Sequence, residues 1–194
     1  RGPLFGRVYT AAVILPQDDS FDHSLMKDSK KFTSKKKIKE AYDYIIENAI
    51  DYEISYIDEN IIDEINIRNA THKAMHNAVN NLRVKPSHLL IDGCDFTPYI
   101  YINDGDEIDV TSIAHTCIEK GDNKFTSIAA ASILAKVARD KYIIDLCDKY
   151  PNLDEFYGLR SNKGYGSKKH LQGIKQYGIT EWHRKTFGIC KNYA

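Results

Sequence analysis

Apolar residues recur along this chain in two rhythms, and their alternation outlines the elements. Residues 5–15 are mostly apolar and are bounded by Gly2-Pro3 and Pro16, which predicts a strand. Over 34–50 the apolar positions Ile38, Ala41, Tyr42, Ile45 and Ala49 fall three or four apart, which predicts a helix with Ser34 placed to cap it. Ile67, Ala70, Ala74, Ala78 and Leu82 repeat that spacing over 66–82. His88–Asp92 is a short apolar strand running into Asp92-Gly93, and residues 112–118 form another. After a loop over 119–124, a long helix is expected from Ser127 to Lys149, closed by Pro151. Its first half, Ile128 to Ala138, is almost wholly small or apolar and should be deeply buried. Residues 151–194 read as loop-rich, basic and aromatic, with one short helix near 167–176. The expected class is α/β, with a core over 1–150 and a C-terminal helical and loop appendage over 151–194 belonging to the same domain.

Composition changes this picture little. A chain of 194 residues, 42% hydrophobic and 28% charged, is neither collagen-like nor compositionally disordered. No apolar run approaches the roughly 20 residues of a membrane helix. The N-terminal residues show no signal-peptide pattern. Cys94, Cys117, Cys147 and Cys190 make no CxxC pair, so a reduced, cytoplasmic chain is expected.

Charge is more informative. The 27 basic and 27 acidic side chains cancel, but they are not mixed. Lys27, Lys30, Lys31, Lys35, Lys36, Lys37 and Lys39 crowd one stretch, and Lys163, Lys168, Lys169, Lys175, Arg184 and Lys185 a second. An acidic block from Asp43 to Glu64 lies between them. A polyanion responds to the local field rather than the sum. Either run alone reads as a solvated face.

Candidate chemistry is sparse when taken motif by motif. Asp92 closes a strand, where α/β folds gather their active sites, yet an Asp-Gly is by itself a turn. Asp140 lies one helical turn beyond Lys136, which can pair with it. If the helix carries Asp140 to Asp92, the two carboxylates need a cation between them, and hard oxygen ligands suit Mg²⁺ or Mn²⁺. His72 and His76 share a helix, but Lys73 follows His72 where a metalloprotease has its Glu, so both are expected to face solvent. Tyr165 sits between Gly164 and Gly166 beside Lys163, a loop able to bring an aromatic ring close to a sugar or base.

The order of these blocks is specific where each one is weak. Arg1-Gly2-Pro3-Leu4, Asp28-Ser29-Lys30-Lys31, Ile62-Asp63-Glu64-Ile65-Asn66-Ile67 and Ile91-Asp92-Gly93 come first. Lys120-Gly121-Asp122, the run Ser127 to Lys136 with Arg139-Asp140 behind it, Asn162 to Gly166 and His183 to Phe187 complete the set. In this order they resemble the ribonuclease HII family, the type 2 ribonucleases H, over nearly the whole chain.

The resemblance implies a ribonuclease H-like mixed sheet flanked by helices. It implies an endonuclease that cuts the RNA strand of RNA/DNA hybrids and incises duplex DNA 5′ of an embedded ribonucleotide, leaving a 3′-hydroxyl and a 5′-phosphate. The family holds two divalent metals about 3.5–4 Å apart with four carboxylates. Asp92 matches the third carboxylate and Asp140 the fourth. The first two form an Asp-Glu pair just before a Gly-Arg-Gly motif, and this chain begins at the Arg of that motif. The pair would fall immediately ahead of residue 1, so the expectation is a piece of a longer chain rather than a variant lacking the pair. Arg1 and Gly2 are expected to read the ribose 2′-hydroxyl through the backbone. Tyr165 resembles the family tyrosine that stacks at the ribose–deoxyribose junction. Lys30, Lys31 and Lys124 are expected phosphate contacts. A monomer is expected, with a non-catalytic hybrid-binding chain and a protein-interaction module as the competing classes.

Overall fold

The computed structural model describes residues 1–27, 29–32, 34–104 and 108–194, with only the backbone of Lys30, 101–104 and 108–111. Among the described residues, six strands and six helices run in the order β1 (Val8–Ile14), α1 (Lys35–Asn48), β2 (Asp51–Ile57), α2 (Glu59–Asn81), β3 (His88–Asp92), β4 (Ile100–Asp104), β5 (Ile108–Ser112), β6 (Ala114–Ile118), α3 (Thr126–Lys149), α4 (Asn152–Tyr157), α5 (Leu159–Asn162) and α6 (Lys168–Tyr177). Among the described residues the strands pair as β1 with β2, β3 with β6 and β4 with β5. β3 and β6 are parallel, with His88 opposite Ala114 and Asp92 opposite Ile118. β4 and β5, which fall between them in sequence, pair antiparallel. The class is therefore mixed α/β, as the alternation of periods implies.

The chain divides into two compact units. The first comprises Arg1–Tyr9, Ser55–Ala74 and Lys136–Ala194. Phe5, Ile143, Cys147, Leu153, Tyr157, Leu159, Ile174 and Cys190 form one core in it. Val8, Ile57, Ile62, Ala70 and Ala74 form another. α2 is broken at Asn66, whose φ of 66° and ψ of 164° lie far from helical values. That conformation is costly for a residue with a Cβ. The Asn66 side chain recovers part of the cost by accepting the Asn69 N–H at 3.1 Å, which caps the second half of the helix. One turn earlier, Asp63 accepts the Lys185 and Thr186 N–H groups at 2.7 and 2.9 Å, fixing the C-terminal turn to α2.

The second unit comprises Thr10–Ile54 and Met75–Ala135. Its core gathers Val79, Leu89, Ile91, Phe96, Tyr99 and Ile113. β3 buries Leu89 and Ile91 and turns His88, Leu90 and Asp92 outward. It is thus a half-buried strand rather than the fully buried one its apolar run suggests. Ser34 caps α1 as expected, accepting from the Lys37 N–H. The 3-10 turn at Ser29–Lys31 is held to α3 by a 3.0 Å hydrogen bond between the Ser29 and Ser132 hydroxyls.

Several boundaries differ from the sequence pattern for identifiable reasons. Asp51–Ile57 is a strand inside the acidic block, because Asp51 turns inward onto the Arg83 and Val84 N–H groups while Ser55 and Ile57 are also buried. Residues 152–162 form two short helices, α4 and α5, where the sequence pattern predicts a loop. Gly158, left-handed at φ +67°, ends one and begins the next. His72 is buried at 2% exposure, not solvent-facing, since it shares the inner face of α2 with Thr71. Asp28, part of the Asp28–Lys31 block, lies outside the described residues, as does the Lys30 side chain. No described helix is long and apolar enough to cross a membrane, and Cys94, Cys117, Cys147 and Cys190 are all free thiols.

Candidate nuclease site

In the second unit, Asp92 is the last residue of β3. Gly93 leaves the strand at φ +130° and donates to the Ile118 carbonyl at 3.0 Å. The Asp92 side chain is aimed by one specific contact, in which its Oδ1 accepts the Gly121 N–H at 2.9 Å. Gly121 opens the 3-10 turn Gly121–Asn123. A Cβ there would lie 2.6 Å from Ile128 Cδ1 and 3.4 Å from Asp92 Oδ1, so only glycine fits without displacement. Lys31 reaches the same turn by hydrogen-bonding the Asn123 side chain. Lys124 follows it, exposed, with its N–H on the Gly121 carbonyl. Asp92 thus meets a turn that also carries Asp122, that Lys31 reaches and that Lys124 follows in sequence.

In the first unit, Asp140 projects from α3 with 28% of its side chain exposed and pairs with Lys136 one turn back. Arg1 and Gly2 lie exposed at the start of the chain, and a Cβ on Gly2 would meet no atom within 4 Å. Their backbone is anchored from beneath by Arg184, which is 1% exposed. Its Nε, Nη1 and Nη2 donate to the carbonyls of Gly6 at 2.8 Å, Arg1 at 2.8 Å and Arg7 at 3.1 Å. Burial, with Arg139 nearby, lowers its pKa to about 10, so the guanidinium stays charged near neutrality. Tyr165 is 54% exposed, with the Arg139 guanidinium carbon 5.8 Å from its ring centroid. Arg139 in turn donates to the Phe5 carbonyl at 3.2 Å.

The family model for ribonuclease HII matches residues 1–190. The chain belongs to the ribonuclease HII family. It is 45% identical over 190 residues to the ribonuclease HII of Phocaeicola vulgatus, spanning 97% of this chain and 85% of that one. It is 43% identical over 193 residues to that of Oceanobacillus iheyensis, spanning 100% of this chain and 67% of the relative. Two solved structures share the fold. The ribonuclease H2 of Pyrococcus horikoshii aligns at 24% identity with a TM-score of 0.76, over 100% of this chain and 92% of that one. The RNase HII of Archaeoglobus fulgidus, solved in a complex with PCNA, aligns at 21% identity with a TM-score of 0.72, over 97% and 91%.

Ribonuclease HII enzymes depend on divalent metal, and the donors here have the matching chemistry. Asp92 and Asp140 offer only carboxylate oxygen, the hard donor that small divalent cations take. Asp140 already carries a positive group, the Lys136 ammonium. Among the described residues no group of three or more His, Cys, Asp and Glu side chains converges on a metal position.

Sequence reasoning overlooked the supports of this site. In the sequence Arg184 reads as part of a basic run and Asp63 as part of an acidic block, and His183 only as a member of a matching block. Their signal was present: a basic residue and a histidine adjoin Phe187 and Trp182 in a C-terminal segment that otherwise reads as surface.

Proposed function

We propose that this chain forms the body of an endonuclease that cuts the RNA strand of RNA/DNA hybrids and incises duplex DNA beside an embedded ribonucleotide. Membership of a hydrolytic nuclease family supports the reaction class. The observation that carries the site assignment is the Gly121 N–H on Asp92 Oδ1, which fixes a strand-end carboxylate at a turn flanked by Lys31 and Lys124.

Asp92 would serve as one carboxylate ligand of a divalent cation, Mg²⁺ or Mn²⁺, and Asp140 as another, among further carboxylates. When bound, the cation supplies positive charge where the phosphodiester develops negative charge during hydrolysis. The remaining roles belong to the protein. The Arg1–Gly2 backbone, kept in place by Arg184, meets the ribose 2′-hydroxyl, the group that separates RNA from DNA. Tyr165 stacks on the sugar or base at the ribose–deoxyribose junction. Lys30, Lys31 and Lys124 contact backbone phosphates. Free cysteines accord with a reducing, cytoplasmic setting, and the enzyme acts as a monomer.

The test is cleavage. A chain extended upstream of Arg1 to carry the Asp-Glu pair should incise a duplex containing one ribonucleotide in Mg²⁺ or Mn²⁺ and leave the all-DNA duplex intact. Asp92→Asn should abolish that incision while duplex binding persists. A folded, extended chain that binds the duplex and never cuts it is a hybrid-binding protein, and the nuclease reading then fails.

A further inference from the structure

Two imidazoles that this reading does not use lie buried together in the first unit. His170, in the first turn of α6, and His183, which bridges to Phe5, are both 0% exposed. Their Nε2 atoms are 3.1 Å apart. The Phe5 and Tyr157 rings close edge-on over His183, each with its centroid 5.0 Å away.

The outer nitrogens decide where the protons are. The Thr180 N–H can only donate, and it lies 2.9 Å from His183 Nδ1. That nitrogen therefore accepts, and a neutral His183 carries its proton on Nε2. The Tyr165 carbonyl can only accept, and it lies 2.9 Å from His170 Nδ1. His170 therefore carries its proton on Nδ1 and leaves Nε2 bare. One arrangement of the inner pair remains: His183 Nε2–H donates to His170 Nε2. Burial pushes both imidazole pKa values down, so both rings are neutral near pH 7. A proton added to either ring would set N–H against N–H.

This hydrogen-bond chain ends on Tyr165. Gly164, at φ +83°, and Gly166 flank that residue; Gly164 is held by its N–H on Asn162 Oδ1 and its carbonyl on the Leu4 N–H, both at 2.8 Å, so what remains to be fixed is Tyr165 itself. Three hydrogen bonds fix it. The Tyr165 N–H donates to the Asn162 carbonyl at 3.0 Å, and the Tyr165 carbonyl accepts from the Ser167 N–H at 2.8 Å and from His170. We propose that His170 and His183 are a tautomer-locked positioning pair that holds the Tyr165 carbonyl and thereby aims its half-exposed ring at the ribonucleotide junction. The inference rests on the junction role given to Tyr165 above. Neither histidine touches substrate; both act through the tyrosine.

Two measurements test it. Long-range ¹H–¹⁵N correlation on the intact chain at pH 7 should show His170 protonated on Nδ1 and His183 on Nε2. The reverse assignment, or averaging of both tautomers in either ring, overturns the pair. This measurement needs no variant, so it decides even where a substituted chain does not fold. The second measurement is the ratio of dissociation constants for an all-DNA duplex and the same duplex with one ribonucleotide. Tyr165→Ala should reduce the ratio about tenfold, the scale of one lost stacking contact. His170→Ala should reduce it comparably. His170→Asn, which keeps a donor near the Nδ1 position, should restore most of it. The double variant should be no worse than Tyr165→Ala alone, because both act at one point. A ratio lowered by Tyr165→Ala and unmoved by folded His170→Ala overturns the positioning inference alone. A ratio unmoved by Tyr165→Ala overturns the junction reading itself.

Discussion

The Gly121 N–H donates to Asp92 Oδ1 at 2.9 Å, and this single contact ties the end of a parallel strand to the turn that precedes the long helix. It makes the strand-end carboxylate an oriented group rather than a turn aspartate. It also assigns Gly121 a second role beyond space-filling, since its amide does the orienting.

Gly121→Ala should therefore harm both stability and substrate handling. The added methyl meets Ile128 Cδ1 at 2.6 Å, in a buried position that must shift to admit it. Such overpacking costs about 1–3 kcal/mol. Urea denaturation should show a loss in that range, and incision by the folded variant should fall, because the shift that admits the methyl moves the amide that orients Asp92. An unchanged midpoint with full incision would remove Gly121 from the account.

Arg184 should be among the costliest charged residues to replace. Its guanidinium satisfies three carbonyls, and the side chain is 1% exposed. Arg184→Met leaves those acceptors unpaired, at about 1–3 kcal/mol for each one that remains buried. Arg184→Lys supplies one donor point in place of a fork and should fall between the two. Equilibrium unfolding checks the order wild type, Lys, Met. The selectivity for a ribonucleotide should fall in step, since Arg184 carries the Arg1 carbonyl.

The buried histidines set a pH limit on stability. The pKa of His183 is held at about 3 by burial and by His170 beside it, against 6.5 in an unfolded chain. Between those values the unfolded chain binds a proton that the folded chain does not. Stability is thus complete above pH 6.5 and declines as pH falls from 6.5 toward 3, by about 1.4 kcal/mol per unit for that ring. His170 is shifted in the same direction. Urea midpoints from pH 7.5 to 4.5 should drop more steeply in wild type than in His183→Gln. Parallel slopes would mean that the pair does not titrate with unfolding.

Binding should be strongly salt-dependent. Each phosphate neutralised by a lysine adds about 0.9 to the slope of log affinity against log salt on duplex DNA. Lys31→Ala and Lys124→Ala should each lower the slope by about one and weaken ribonucleotide-containing and all-DNA duplexes alike. Slopes that stay at the wild-type value would place the duplex elsewhere on the protein.

The legible parts of this protein were those whose signals are local. The α3 helix, Ser34 as a cap and the β3 strand into Asp92-Gly93 all follow from spacing and from turn chemistry. Asp51–Ile57 was hidden because its first residue is a buried acid, satisfied by the Arg83 side chain and two backbone amides more than thirty residues away. Arg184 was hidden for the same reason. A cation reads as surface until the carbonyls of Arg1, Gly6 and Arg7, at the opposite end of the chain, are seen to surround it. His170 and His183 carry no signal individually, since the meaning of each lies in the other's nitrogen. Asp92 and Asp140 are candidates through the order of motifs across the whole chain, since taken alone a strand-end Asp-Gly reads as a turn and an Asp one turn beyond Lys136 as an ion pair.

The most direct measurement of the central claim is a cleavage gel with three substrates: a duplex carrying one ribonucleotide, an RNA/DNA hybrid and an all-DNA duplex. The enzyme is the chain extended upstream of Arg1 with the Asp-Glu pair, compared with its Asp92→Asn and Asp140→Asn variants, each shown to be folded. The account predicts incision of the first two substrates in the presence of a divalent cation, none of the third, and none by the Asp92 variant, with Asp140→Asn severely slowed. Turnover by folded Asp92→Asn at the rate of the unsubstituted enzyme would contradict it.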